Sequence, residues 1–239
     1  MLHRPLPARL TEGVSPGALY RLITWLSPAF PVGAFSYSSG IEWAVEAGDI
    51  RDSGTLCRWL QTILKTGGGF CDAVFLVQAH RAIAQRDDRL LKDVAELAAA
   101  LAPSKERFLE TTAQGQAFIA TMRDTWPCAA FDRLAKIADG PLAYPVAVGV
   151  ASAGHDIPAA PAVYVYLQAT MANLVSAGVR LVPLGQTDGQ RVIAKLEEDI
   201  AATAERALAA RLDDIGTAAF RADLASLRHE TQYTRLFRS

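Results

Sequence analysis

The 239-residue sequence lacks an excess of charge of either sign: 24 lysines and arginines face 25 aspartates and glutamates, a net charge of −1. Without a basic field, neither nucleic-acid phosphates nor an anionic membrane surface can hold the chain non-specifically, so neither is an expected partner. Cysteine is scarce as well. Cys57, Cys71 and Cys128 are odd in number and widely spaced, which suits free thiols in a reducing, cytoplasmic compartment and argues against a disulfide framework. The first residues carry Pro5, Pro7 and Glu12 in place of a continuous apolar stretch with a cleavage site.

Signatures of chemistry are equally thin. His3, His80, His155 and His229 are scattered, none with a His or Cys partner at metal-ligand spacing, and are read as capping or surface residues. The run His229-Glu230-Thr231-Gln232-Tyr233 would be a zinc-protease helix if its last residue were histidine, but tyrosine removes the second ligand. Glycines 67 to 69 are not followed by the lysine of a phosphate-binding loop, so they are expected to end one helix and turn the chain. A Cys–His pair assembled only in space stays open. No catalytic, metal-binding or cofactor-binding residue is assigned, and the chain is not expected to be an enzyme.

Helical periodicity is what the chain has in abundance. With 51% hydrophobic residues it can bury a sizeable core. Val192, Leu196, Ile200, Ala204, Leu208 and Leu212, four residues apart, make one continuous apolar stripe. Leu90, Val94, Leu97 and Leu101 follow the helix-starting Asp87 and Asp88 and precede Pro103, while Leu56, Leu60, Ile63 and Leu64 lie between Asp52 or Ser53 and the glycines. Further helices are predicted near 18–27, 39–47, 70–85, 104–125, 128–138, 144–153 and 161–181. Ser39 and Glu42 have capping-box spacing, with Gly48 as a left-handed stop. Residues 157–179 hold no charge and are long enough to span a bilayer, yet Pro158, Pro161, Gln168, Asn173 and Ser176 favour a buried core helix. Period-two alternation is absent. The expectation is an all-α fold: one compact bundle of about ten helices over 18–228, a flexible extension at 1–17 and a docking tail at 229–239.

Three segments depart from the rule that loops and ends are polar. In the connector from Ser27 to Gly40, Pro28, Pro31 and Gly33 forbid regular helix while Phe30, Phe35 and Tyr37 call for burial, on the chain's own core or on a partner. The terminal run Tyr233-Thr234-Arg235-Leu236-Phe237-Arg238-Ser239 interleaves hot-spot residue types where a chain end should fray. It docks either on its own bundle or, the preferred reading, into another protein. Between Arg180 and Gln190, a turn rich in Gly and Asp carries Gln186 and Gln190, more polar groups than a plain connection needs.

Taken in order, these segments resemble the UreF family of urease accessory proteins. The likeness rests on the run from Ser27 to Glu42, on Tyr144-Pro145-Val146-Ala147, on the turn from Val182 to Gln190 and on the ending from His229 to Ser239. It covers residues 18 to 239. The resemblance implies an all-helical homodimer that joins a second accessory protein, UreD or UreH, and the GTPase UreG on apo-urease. There nickel is delivered to a site whose metal ions are bridged by a carbamylated lysine, so nickel, GTP and CO2 are handled through partners. It further implies that Phe30, Pro31, Phe35, Tyr37, Tyr233, Arg235, Leu236, Phe237 and Arg238 face UreD, and that Tyr164 and Tyr166 lie near the two-fold axis. Arg180, Gln186, Asp188 and Gln190 are expected to face the GTPase, either positioning it or, in the alternative, activating it through an arginine finger.

Overall fold

In a computed structural model of the chain, residues 7–239 are described, with the side chain of Arg9 excepted. The described residues form eleven α-helices: α1 (Pro16–Trp25), α2 (Ile41–Glu46), α3 (Ser53–Thr66), α4 (Gly68–Gln85), α5 (Asp88–Ala100), α6 (Lys105–Thr125), α7 (Ala129–Ile137), α8 (Tyr144–Gly154), α9 (Ala159–Leu181), α10 (Gln186–Ala209) and α11 (Phe220–His229). No strand occurs among them, so the all-α expectation holds.

Local chemistry sets most starts. Asp52 caps α3 by accepting from the Thr55 amide while the Thr55 hydroxyl accepts from the Asp52 amide, and Asp87 and Ser104 cap α5 and α6 in the same first-turn manner. The capping box predicted at Ser39 and Glu42 does not form. Gly40 is the residue before α2, at φ +80°, and a Cβ there would strike the backbone of Ser226. Glu42 is thereby freed to point elsewhere. The apolar stripe predicted to run to Leu212 stops with α10 at Ala209, and Leu212 falls in a separate 3-10 turn.

At the centre α4 packs along α8, both buried nearly all round. Gly149 on α8 has Leu76 of α4 so near that any side chain would collide with its carbonyl oxygen. The long uncharged helix α9 lies between α10, α4 and α3, with Val163, Leu167, Met171, Leu174 and Val175 buried. It is long and apolar enough to cross a membrane by length and composition, and half of its most apolar window is inside the fold. Part of the expected flexible extension is also packed. Leu10, in the 3-10 turn Ala8–Leu10, is 1% exposed, and Ser15 caps α1. Residues 1–6 of that expectation lie outside the described residues.

Candidate interaction site

Two of the three unusual segments, the loop and the tail, meet on one face, and of the third only Arg180 joins them. The loop between α1 and α2 turns Phe30 inward, where its ring meets Phe118 at 5.3 Å and Trp126 at 6.4 Å, and buries Tyr37. Phe35, in a 3-10 turn at Ala34–Ser36, projects outward at 67% exposure, with Pro31 also at the surface. So part of the connector packs on its own core, one of the two readings, and part stands at the surface. Asn173 and Arg180 of α9 hold the turn from below, donating to the Ala34 and Phe35 carbonyls at 2.9 and 2.8 Å.

The C-terminal tail lies over this turn. Arg180 also stacks its guanidinium on the Phe237 ring at 4.3 Å, and the Arg238 amide donates to the Ser36 carbonyl at 2.8 Å. Phe237 and Ser239 are buried; Tyr233 is fully exposed and Leu236 is 78% exposed. In the chain by itself the tail packs on its own bundle and keeps two large apolar side chains free. Arg180 bridges turn and tail, so its guanidinium is engaged and not presented with Gln186, Asp188 and Gln190. Gln186 and Gln190 are exposed at the start of α10, and Asp188 pairs with Arg191 at 2.7 Å.

Beneath the tail is a polar seat that sequence reasoning missed. Glu42, almost fully buried, accepts the amides of Leu236 at 2.7 Å and Phe237 at 3.0 Å. Its second oxygen also lies 3.2 Å from His229 Nε2, while His229 Nδ1 lies 2.6 Å from Glu106, which in turn pairs with Arg235 at 2.7 Å. His229 has no exposed surface, contrary to the expectation of a capping or surface histidine. It closes α11, a helix not among those predicted, and Glu230 accepts the Lys105 amide at the start of α6. His155, at the C-cap of α8 and bonded to the Trp126 carbonyl, fits the expectation; His80 does not, since it lies within α4, partly buried, and bonds the Ile157 carbonyl. His3 lies outside the described residues.

A second cluster adjoins the seat. Arg107 pairs with Glu110 at 2.7 Å and reaches Asp72 at 3.7 Å, and Tyr166 donates to Asp72 at 3.2 Å. Burial pushes the Asp72 carboxyl up to about 6, with Arg107 and the Tyr166 hydroxyl opposing it. Burial works against the charge on Arg107, but Glu110 and Asp72 outweigh it and raise its pKa further. The two directions agree once the distances are weighed: Arg107 is held mainly by Glu110, and Asp72 has only its looser contact. Tyr166, expected at a two-fold axis, is 2% exposed and lies against Tyr144 inside the fold. Tyr166 thus offers almost no surface to a second copy; Tyr164 is half-buried. Outward on α9 lie Gln168, Ala169, Ala172 and Ser176.

These features define an all-helical protein whose distinctive residues build a surface from a loop, a chain end and the end of one helix. Among the described residues no group of three or more His, Cys, Asp or Glu side chains is placed to hold a metal ion. A family model described as UreF matches residues 50–197. The chain is 63% identical over 222 residues to the urease accessory protein UreF of Bradyrhizobium diazoefficiens, covering 93% of this chain and 92% of that one. It is 61% identical over 233 residues to that of Rhodopseudomonas palustris strain HaA2, covering 98% and 97%. The chain belongs to the UreF family.

Proposed function

We propose that this chain acts in urease maturation as a non-catalytic adaptor, bridging UreD (UreH) and the GTPase UreG on apo-urease in the cytoplasm. The observation that carries the reading is the seated tail: its backbone is fixed by Glu42 while Tyr233, Leu236 and the neighbouring Phe35 face solvent. Large apolar side chains held rigidly outward lose little freedom when a partner covers them, which is the economy of a preformed docking surface. UreD is assigned to this surface. UreG is assigned to the start of α10, where Gln186, Asp188 and Gln190 lie. Nickel, GTP and CO2 are bound by the partners.

A homodimer is part of the proposal, and its contact is moved from Tyr166 to the uncharged outer stripe of α9, since small side chains such as Ala169 and Ala172 allow close approach of a second copy. In the alternative reading, activation of UreG, Arg180 would have to leave both Phe35 and Phe237 to reach a phosphate. Pull-down of UreD and UreG, each alone and together, tests the adaptor. Phe35→Ser with Leu236→Ser should lose UreD while far-UV circular dichroism is unchanged; retained binding of UreD refutes the assignment. Single-turnover GTP hydrolysis by UreG with Arg180→Ala should recover at saturating protein if the chain only positions UreG.

A further inference from the structure

The seat of the tail continues into the interior. Ser239, wholly buried, donates its hydroxyl to one oxygen of Glu110 at 2.8 Å, and the other oxygen of Glu110 holds Arg107 at 2.7 Å. Arg107 turns its second terminal nitrogen to Asp72 at 3.7 Å. Arg107, Glu110 and Asp72 stand at the wall of a cavity of about 390 Å³ that also meets Phe30, Tyr144 and Tyr166. Three contacts thus join the end of the chain to the charge at that wall.

We propose that Ser239 is the contact through which seating of the tail sets the placement of charge at the cavity wall. While the tail is seated, one Glu110 oxygen takes the Ser239 hydroxyl and the other takes Arg107 and, at 3.4 Å, the Gln114 side-chain amide, and Arg107 stays within reach of Asp72. When the tail lifts, the Glu110 oxygen that held the Ser239 hydroxyl becomes a free acceptor beside Arg107. A guanidinium presents two parallel N–H bonds to such a carboxylate, so Arg107 closes onto Glu110 with both and draws away from Asp72. Other groups face these two carboxylates from each side. Tyr166 of α9 donates to Asp72, Tyr144 of α8 lies against Tyr166, and Ser39 stands 3.4 Å from both Glu110 oxygens. None of them supplies a second cation, so Asp72 has no replacement for Arg107. The coupling rests on these contacts alone; only its use, letting a partner that covers the tail alter the cavity, rests on the adaptor reading.

The test is a carboxyl titration of the full-length protein with carbon-13 in its aspartate side chains, the Asp72 signal being assigned with Asp72→Asn. Ser239→Ala removes the side-chain oxygen and leaves the main-chain oxygen that Ser38 holds. A chain ending at Thr234 removes the tail segment that sits on Glu42 and Glu110. In both, the Asp72 midpoint should move upward by about one pH unit. An unchanged midpoint, as when water takes the place of the hydroxyl on Glu110, overturns the proposal, and so does a fall. If the variants show the shift while the unaltered full-length protein fails to bind UreD, the adaptor reading is overturned and the coupling stays intact.

Discussion

Glu42 is the keystone of the tail, and Glu42→Gln measures it. The carboxylate accepts two backbone amides, at 2.7 and 3.0 Å, and lies 3.2 Å from His229. Hydrogen bonds to a charged acceptor contribute roughly 1.5–3 kcal/mol each. Glutamine keeps one acceptor oxygen but turns an NH2 group toward donors, so at least one amide loses its partner and the charge is lost for both. Taking these together as about 3 kcal/mol of local stability, opening of the tail becomes roughly a hundredfold more frequent. Hydrogen exchange read at the amides of Leu236 and Phe237 should accelerate by that factor while the core amides of α4 and α8 keep their protection. Equal exchange in the two proteins would refute the claim that Glu42 holds the tail, and a matching loss in the core would show that the substitution acts on the whole fold.

Two further outcomes follow from the buried cluster. The Asp72 carboxyl is raised from 3.8 to about 6, so the folded state binds its proton more tightly than the unfolded chain. Its contribution to stability is complete below 3.8 and disappears as pH rises through about 6, a change of about 3 kcal/mol at most; urea midpoints of Asp72→Asn should lack this slope between pH 4 and 7, and a parallel curve would refute it. Tyr166→Asp should lower stability by several kcal/mol in the monomer itself, because it sets a second carboxylate beside Asp72 in the interior. Unchanged thermal unfolding with a loss of dimer would restore Tyr166 to a subunit contact.

The helices were legible wherever a cap or a stop coincided with the apolar period, as at Asp52, Asp87 and Gly48. They were less so where tertiary packing decided. Helix α11 has no side-chain cap at its start and leaves Phe220, Leu224 and Leu227 largely exposed, so its pattern reads as polar and apolar by turns. The candidate site divides along the same line. Aromatic and arginine residues in places meant for polar ones announced the loop and the tail. The seat beneath them did not announce itself, because Glu42, Glu106 and Glu110 sit on helices where carboxylates are common and their partners are distant in sequence. The same holds for His229: its local run resembles half of a metal site, while the two acids that face it come from other helices far away in sequence.

Burial of so many charges under a chain end is a costly way to gain stability, because desolvation offsets most of the attraction within each pair. Its return is specificity of position. A tail seated on apolar contacts alone could slide by a residue, since Tyr233, Leu236 and Phe237 offer similar grip. A seat made of one carboxylate for the Leu236 and Phe237 amides, a second for Arg235 and a third for Ser239 admits one register only. That register decides which apolar side chain is buried and which faces out: one step of slippage would turn Leu236 inward and expose Phe237, removing the ring on which Arg180 rests. A surface composed jointly by the tail and the Phe35 turn can present the same face to a partner each time only if the two are locked together in this way.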